Sequence, residues 1–413
     1  MIQIAVIGHG VVGSGVVDLL HENKAGISSR AHETIRVKYI LDLRDFPELP
    51  YASKFIKDFA TIENDDEVRI VVECIGGVKI AYDYVKRSLL AGKSVVTSNK
   101  ELVAAHGQEL LELAQERNLN FLFEASVGGG IPIIRPLSQC LAANEVTEIA
   151  GILNGTTNFI LTKMIYDKMS FDDALALAQK LGYAERDPSA DVDGHDSCRK
   201  ICILASLAFG HHVYPEQVST EGIRNVTLED VSYADVWGGS IKLLGVVKPC
   251  GDGKLDMCVA PMLIPKTNQL WRVDDVFNGI LACGNATGDV LFYGRGAGKM
   301  PTASAVVADV IDCTKHFNAR KYLYWDKGSP DLVIDASKSV FPMYIRATGL
   351  PADELTAAVE KVYGSCQKLT REGVDDEVAF IVPAAPYGEQ CSKRQQLEWC
   401  GVKVLGFMRV FAD

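Results

Sequence analysis

Residues 2–20 read IQIAVIGHGVVGSGVVDLL, and this stretch decides the fold. A short apolar strand, Ile2 to Ile7, runs straight into Gly8, Gly10 and Gly13 in the spacing G-x-G-x-x-G. Val16, Val17, Leu19 and Leu20 then begin a helix. The glycine spacing alone is a weak signal; between a strand and a helix it predicts a dinucleotide-binding βα unit. The first glycine permits the tight turn, the second lets the backbone approach a pyrophosphate, and the third lets helix and strand pack closely. Helix amides then face the phosphates.

Working outward, Ile35 to Leu41 predicts the next strand, which ends at Asp42. An acid there accepts hydrogen bonds from the adenosine ribose hydroxyls and repels a 2′-phosphate, which favours NAD. Arg44, two residues on, could hold that phosphate instead, so NADP stays open. Ile70 to Val72 leads to Glu73 and the loop Cys74 to Val78, Ala81 to Ala91 predicts a helix, and Val95 to Thr97 a further strand. That strand stops at Asn99 and Lys100, at the carboxyl edge where open α/β sheets bind ligands. The helix Leu102 to Glu116 follows, then the strand Phe121 to Phe123. After Glu124 come the triplet Gly128 to Gly130 and Pro132, near the start of an expected apolar helix, leaving backbone groups free beside Glu124. Five strands alternating with helices make a nucleotide domain of ordinary size.

From Val146 the character changes. The strand Val146 to Ile152 ends in NGTTN, and the helix Phe159 to Lys168 follows. Asn154 to Thr157 offer hydroxyls and amides at a helix start, suited to a carboxylate or to a plain N-cap. The stretch GYAERDPSADVDGHDSCRKICILA, residues 182–205, places Glu185, Asp187, Asp191 and Asp193 in a Gly- and Pro-punctuated loop. Asp196 and Lys200 lie four residues apart, so on a helix they share a face. Ile201, Ile203, Leu204, Leu207 and Ala208 give that helix a buried stripe, with Gly210 as its stop. An isolated pair of this spacing is ordinarily a helix stabiliser; the surrounding carboxylates point further.

Short strands are expected between about Val259 and Val290, and an alanine- and valine-rich helix from Thr302 to Thr314 that closes the nucleotide domain. Residues 318–337, rich in Lys, Asp, Gly, Ser and Pro, read as a linker. The remainder orders strand, helix, two strands, helix and strand, which is ferredoxin-like. The expected domains are thus 1–130 with about 298–317 for the nucleotide, 131–297 for substrate and dimerisation, and 338–413 as a separate C-terminal unit. A chain ended near Lys338 is expected to keep its fold.

Composition bounds the rest. The 413 residues suffice for two or three domains, 48% hydrophobic and 23% charged residues are those of a globular protein, and a net charge of −11 argues against nucleic-acid and membrane-surface partners. No apolar run reaches the roughly 18 to 20 residues that span a bilayer. The strand pattern begins within two residues of the start, so no secretory signal is expected. Eleven scattered cysteines without a CxxC suit reduced thiols in a cytoplasmic protein.

The segments GHGVVGSG, TSNKELVAAHG, FEASVGGGIPII, GILNGTTNFILT and LGYAERDPSADVDGHDSCRK, in this order, resemble homoserine dehydrogenases. The match covers most of the first 315 residues. It implies reversible NAD(P)-dependent interconversion of L-homoserine and L-aspartate 4-semialdehyde, on the route to threonine and methionine. By motif, it implies that Lys200 and Lys100 are catalytic lysines and Asp196 the acid beside the reacting oxygen. Glu185 and Asp191 would bind the substrate ammonium, with Tyr183, Gly155 and Thr156 lining the pocket. Gly8, Gly10, Val11, Val12, Gly13, Asp42, Arg44, Lys100 and Gly298, the last in GRGAGKMPTASAV, would meet the cofactor. A monovalent cation, Na+ or K+, would be held near Glu124 by carbonyls of Val127, Gly129 and Ile131. His195 and Cys198 stand where apolar or small residues are expected. A homodimer or higher homo-oligomer is a family expectation. The C-terminal unit resembles an ACT domain, which implies an amino-acid effector such as threonine, although TGLPADEL lacks the usual D-x-P-G-V.

Overall fold

The computed structural model describes residues 1–317, 319 and 323–411. It divides into two compact units: residues 1–146, 202–215 and 294–329, and residues 147–201, 216–293 and 330–413. Of the expected linker 318–337, residues 318 and 320–322 lie outside the described residues. Among the described residues no helix is long and apolar enough to cross a membrane.

The first unit is built on six parallel strands: β1 (Ile2–Ile7), β2 (Ile35–Leu41), β3 (Phe55–Ile56), β4 (Val68–Glu73), β5 (Ser94–Thr97) and β6 (Phe121–Leu122). Their order is β3-β2-β1-β4-β5-β6, and every pairing is parallel. This is the doubly wound order that reverses between β1 and β4 and opens a ligand crevice there. Ile4 to Ile7 and Ile70 to Val72 are almost wholly inaccessible. Central parallel strands are covered on both faces, which is why they read as unbroken apolar runs. The helices of this half are α1 (Val11–Glu22), α2 (Lys24–Ala31), α3 (Ala60–Glu63), α4 (Lys79–Leu90) and α5 (Lys100–Glu116). The apolar helix expected after Pro132 reduces to one short π-type turn, Pro136–Cys140. Pro132 and Pro136 lack the N–H groups that a regular ladder there would use.

The second unit carries α6 (Gly155–Tyr166), α7 (Phe171–Lys180), α8 (Ser189–Val192), α9 (His195–Phe209, whose residues from Cys202 on count with the first unit) and α10 (Leu228–Trp237). Its strands are β7 (Val146–Ile152), β8 (Ser219–Thr220), β9 (Gly239–Pro249), β10 (Leu255–Pro265), β11 (Phe277–Gly284) and β12 (Gly288–Arg295). The chain returns to the first unit as α11 (Lys299–Lys315). It ends with β13 (Val340–Thr348), α12 (Ala352–Tyr363), β14 (Gln367–Leu369), β15 (Glu377–Pro386), α13 (Tyr387–Trp399) and β16 (Lys403–Val410).

The last six elements have the expected β-α-β-β-α-β order, with strands arranged β16-β13-β15-β14. They continue the sheet of the substrate half: β16 pairs parallel with β10 through Met262↔Arg409 and Leu263↔Val410, giving β12-β11-β7-β9-β10-β16-β13-β15-β14, with β8 on β10. One apolar cluster runs from Ala150, Leu244 and Met262 to Met343, Ile345, Leu355, Phe380 and Leu397. Phe341, Met343 and Ile345 would therefore leave a hole in the substrate half if removed. The expectation that a chain ended near Lys338 keeps its fold does not survive this shared core. β9, central in the sheet, has no counterpart among the expected strands, because a continuous apolar run is not distinguishable by period from a buried helix.

Candidate active site

The glycine loop behaves as its spacing requires. Gly8 has φ of 90°, and a Cβ on Gly13 would lie 1.9 Å from the Gly8 carbonyl oxygen. A Cβ on Gly10 would meet nothing within 4 Å, so its backbone faces open space on the side where a pyrophosphate would approach. Gly10 is the N-cap of α1, Val12 is half-buried in its first turn, and Val11 is 67% exposed.

Asp42 is engaged on all sides. It accepts from the His9 amide at 2.7 Å, the Arg44 amide at 2.9 Å, and the Arg44 guanidinium at 3.0 Å (Nε) and 2.9 Å (Nη2). The guanidinium beside it, aided by the two amides, holds its carboxyl well below the usual carboxylate range. The acid that repels a 2′-phosphate and the cation that would hold one are thus a bidentate pair.

Lys100 opens α5 in the first unit. Asn99 caps that helix by accepting from the Leu102 amide at 3.0 Å, and donates its own amide to the Gly77 carbonyl at 2.6 Å. Glu73, fully buried, accepts from the Ile75 amide at 2.7 Å and from the Thr97 hydroxyl at 2.5 Å, and burial pushes its carboxyl up. These contacts shape the 74–78 loop at the end of β4. The Glu124 carboxylate caps the turn after it, accepting from the amides of Ile133 (2.6 Å), Ile134 (2.8 Å) and Arg135 (2.9 Å). In the nearby turn Val127 and Ile131 are buried, with Gly128 and Gly129 at φ of 73° and 54°. Weakly hydrated monovalent ions suit main-chain carbonyl oxygens. Gly298 has φ of 122° at the start of α11.

The second unit gathers residues far apart in sequence. Lys200 Nζ donates to Asp196 Oδ2 and to the Leu153 carbonyl, both at 2.7 Å, and is 7% exposed. Asn154 donates its amide to Asp196 Oδ2 at 2.8 Å and to Asp191 Oδ1 at 2.7 Å, while its oxygen caps α6 at the Thr157 amide. Burial, and next the charge of Asp196, raise the Asp191 carboxyl above its ordinary value. Two carboxylates and the Lys200 amine thus meet at the Asn154 side chain and the Leu153 carbonyl.

Thr156 donates to the Tyr183 carbonyl at 2.7 Å, and the Tyr183 ring, 44% exposed, lies edge-on to Phe159 at 5.1 Å. A Cβ on Gly155 would lie 2.8 Å from the Val276 carbonyl. That close approach is held by Lys242, wholly buried, which donates to the Val273 carbonyl (2.6 Å) and Asp274 (2.7 Å), and by Asn158, which donates to the carbonyls of Val273 (3.1 Å) and Phe277 (3.0 Å). Glu185 sits on the exposed loop, where its main-chain carbonyl accepts from Gln179 at 3.1 Å. Asp191, Asp196 and Lys200 are thus brought together, Thr156 and Tyr183 adjoin one another, and the Glu185 side chain is exposed. Sequence reasoning missed Asn154 as the bridge between the two carboxylates, although its place at the head of a helix was visible. Lys242 left no signal, lying inside an apolar run.

Two family models match this chain: the homoserine dehydrogenase model over residues 132–311 and the homoserine dehydrogenase NAD-binding domain over residues 8–124. A homoserine dehydrogenase of Bacillus subtilis is 36% identical over 400 residues, covering 94% of this chain and 89% of that one. The chain belongs to the homoserine dehydrogenase family. A homoserine dehydrogenase crystal structure from Thiobacillus denitrificans superposes with a TM-score of 0.91 at 34% identity, covering 99% of this chain and 98% of that one. A hyperthermophilic archaeal homoserine dehydrogenase in complex with NADPH matches with a TM-score of 0.64 at 30% identity, covering 76% of this chain and 97% of that one. As a homoserine dehydrogenase, the enzyme catalyses the reversible NAD(P)-dependent reduction of L-aspartate 4-semialdehyde to L-homoserine in threonine and methionine biosynthesis.

Proposed function

We propose that Lys200 is the group that moves the hydroxyl proton, with Asp196 orienting it and Lys100 as the second catalytic lysine. The observation that carries this reading is the cluster of buried Asn154, Asp196 and Lys200 with the half-buried Asp191. A bound nicotinamide would supply the hydride chemistry at the carbinol carbon of homoserine. As the neutral amine Lys200 takes the hydroxyl proton when the hydride leaves, becoming the ammonium; in reduction that ammonium donates the proton back to the aldehyde oxygen. Asp196 keeps its ammonium aimed, and the Leu153 carbonyl fixes a second direction. Asp191 and Glu185 bind the substrate ammonium, and Tyr183, Gly155 and Thr156 line the pocket. Asp191→Asn and Glu185→Gln are each expected to raise KM for homoserine more than they lower kcat, because that contact is made in ground and transition states alike. A fall in kcat with KM unchanged would remove both from ammonium binding.

The nucleotide would be held by Gly8, Gly10, Val11, Val12, Gly13 and Lys100, with Gly298 near it. Because Asp42 and Arg44 neutralise one another, both NAD and NADP are accepted, Asp42 serving the ribose of the first and Arg44 the 2′-phosphate of the second. A monovalent cation, Na+ or K+, is held by carbonyls of Val127, Gly129 and Ile131 next to Glu124.

The C-terminal module is ACT-like and takes an amino-acid effector, threonine. A cleft of about 660 Å³ lined by residues 221, 222, 224–227 and 404–408 supports this. Titrating turnover with threonine tests it; an indifferent enzyme would make the module an assembly element. The enzyme is cytoplasmic and works as a homodimer or higher homo-oligomer. The edge strand β12, with Leu291 and Tyr293 exposed, is the surface that favours a second copy.

A further inference from the structure

Residues 219–230 lie between the loop that carries Asp191 and the C-terminal module. On the loop side the fit is tight: a Cβ on Gly222 would meet the Val192 carbonyl oxygen at 2.1 Å and the Asp193 Cα at 2.5 Å. The Ile223 amide donates to the same Val192 oxygen at 2.8 Å, and Arg224 pairs with both carboxylate oxygens of Asp193. Residues 192–195 are the link between Asp191 and Asp196, and the segment touches Val192 and Asp193 of that link.

On the module side, the carboxylates of this segment meet two arginines. Glu221 accepts from Arg409 Nη1 at 2.7 Å, and Asp230 accepts from Arg346 Nε at 2.8 Å and from the Tyr344 hydroxyl at 3.0 Å. Arg409 is 2% and Arg346 6% exposed. Arg409 also lies over the Tyr387 ring, 4.2 Å from its centroid. Asp230 in turn closes a capping box with Thr227 at the head of α10. A buried guanidinium must keep its carboxylate partners, because an uncompensated charge is costly; Arg346 divides itself between Asp230 and Glu377, to which Nη1 donates at 2.7 Å, while Arg409 is paired with Glu221. Both ends of the segment are therefore fixed to neighbouring strands, Arg346 on β13 and Arg409 on β16.

We infer that Arg346 and Arg409 of the C-terminal module, acting through Asp230, Glu221 and Arg224, are positioning residues for the substrate, holding residues 219–230 as the support on which the Asp191 to Asp196 loop is set. The inference rests on the reading that Asp191 receives the substrate ammonium. None of these residues is assigned a contact with the reacting atoms, so their loss moves the carboxylate and shows first in substrate affinity. A displacement of about 1 Å can cost on the order of 100-fold in a positioned site.

The test is steady-state kinetics on full-length Glu221→Gln, Arg224→Gln, Arg224→Lys and Asp191→Asn. The first two are expected to raise KM for homoserine about tenfold while KM for NAD stays near its original value, a partial loss of the positioning effect. Arg224→Lys, which keeps a cation opposite Asp193, recovers most of the affinity. Thermal unfolding without any change in homoserine KM would overturn the inference, as would equal increases in both KM values. If Asp191→Asn raises homoserine KM and the Glu221 and Arg224 variants do not, the positioning role alone fails. If homoserine KM ignores Asp191→Asn, the ammonium reading fails and the positioning role with it.

Discussion

The carboxylates of the two units do different work. In the first unit Asp42, Glu73 and Glu124 accept from backbone amides: His9 and Arg44, Ile75, and the run Ile133 to Arg135. They shape turns on which a ligand is held by the backbone. In the second unit Asp191 and Asp196 face the Asn154 side-chain amide and, for Asp196, the Lys200 Nζ. Binding by a backbone-shaped turn is vulnerable to changes in shape, whereas chemistry at a charge-balanced cluster is vulnerable to the loss of one charge.

The largest expected effect lies in the second unit and concerns its core. Ending the chain near residue 338 removes Met343, Ile345, Leu355, Phe380 and Leu397 from the cluster shared with the substrate half. Each such side chain contributes about 1.5 to 3 kcal/mol on burial, so the sum rivals the roughly 5 to 15 kcal/mol that holds a domain together. The truncated chain is expected to aggregate or to lose cooperative unfolding in a thermal melt. A soluble fragment with full turnover would separate the module from the core.

Shape governs the next. Gly13→Ala places a methyl group 1.9 Å from the Gly8 oxygen, which forces the loop to move. Backbone strain of about 1 to 3 kcal/mol corresponds to roughly 5- to 150-fold, expected as a rise in KM for NAD with KM for homoserine nearly constant. Charge in the same unit has a smaller consequence. Asp42→Ala releases Arg44 and is expected to shift kcat/KM towards NADP by about tenfold, near the value of one charge-assisted hydrogen bond. An unchanged ratio, with NADP preference lost in Arg44→Ala, would make Arg44 the sole determinant.

How much of this was legible in the sequence follows the same division. The glycine loop, β1, β2, β4, β5 and β6 and the Asp196 to Lys200 helix face depend on neighbours within a few residues, so their periods and spacings are visible along the chain, whereas β3, two residues long, carries no period and was not among the five expected strands. The C-terminal order was visible for the same reason. The pairings that complete the second unit were not. Asn154 reaches Asp191 across 37 positions and Glu221 reaches Arg409 across 188. Arg346, Arg409 and Lys242 lie within apolar strands, where a charged residue reads as an interruption until its partner is known. Asp42 and Arg44 were both singled out, yet only their bidentate geometry reveals that they neutralise one another.

The smallest expected effect is a pH dependence. The Asp191 carboxyl is raised by burial and by Asp196, so it takes up a proton at a higher pH than a free aspartate. Only the ionised form attracts an ammonium. KM for homoserine is therefore expected to rise as pH falls through that raised value, by at most about tenfold per pH unit, since a single proton is involved. In Asp191→Asn the slope disappears. A slope that persists in the variant would assign it to another group.

The central claim is that Lys200 carries the proton and is more than a helical ion-pair partner of Asp196. Turnover of homoserine by Lys200→Ala, measured with its thermal unfolding, tests this most directly. Loss of a positioned proton-transfer group predicts a fall in kcat of about 100- to 10,000-fold, in a protein that still unfolds cooperatively and binds NAD with unchanged affinity. A kcat close to that of the unaltered enzyme would contradict the account.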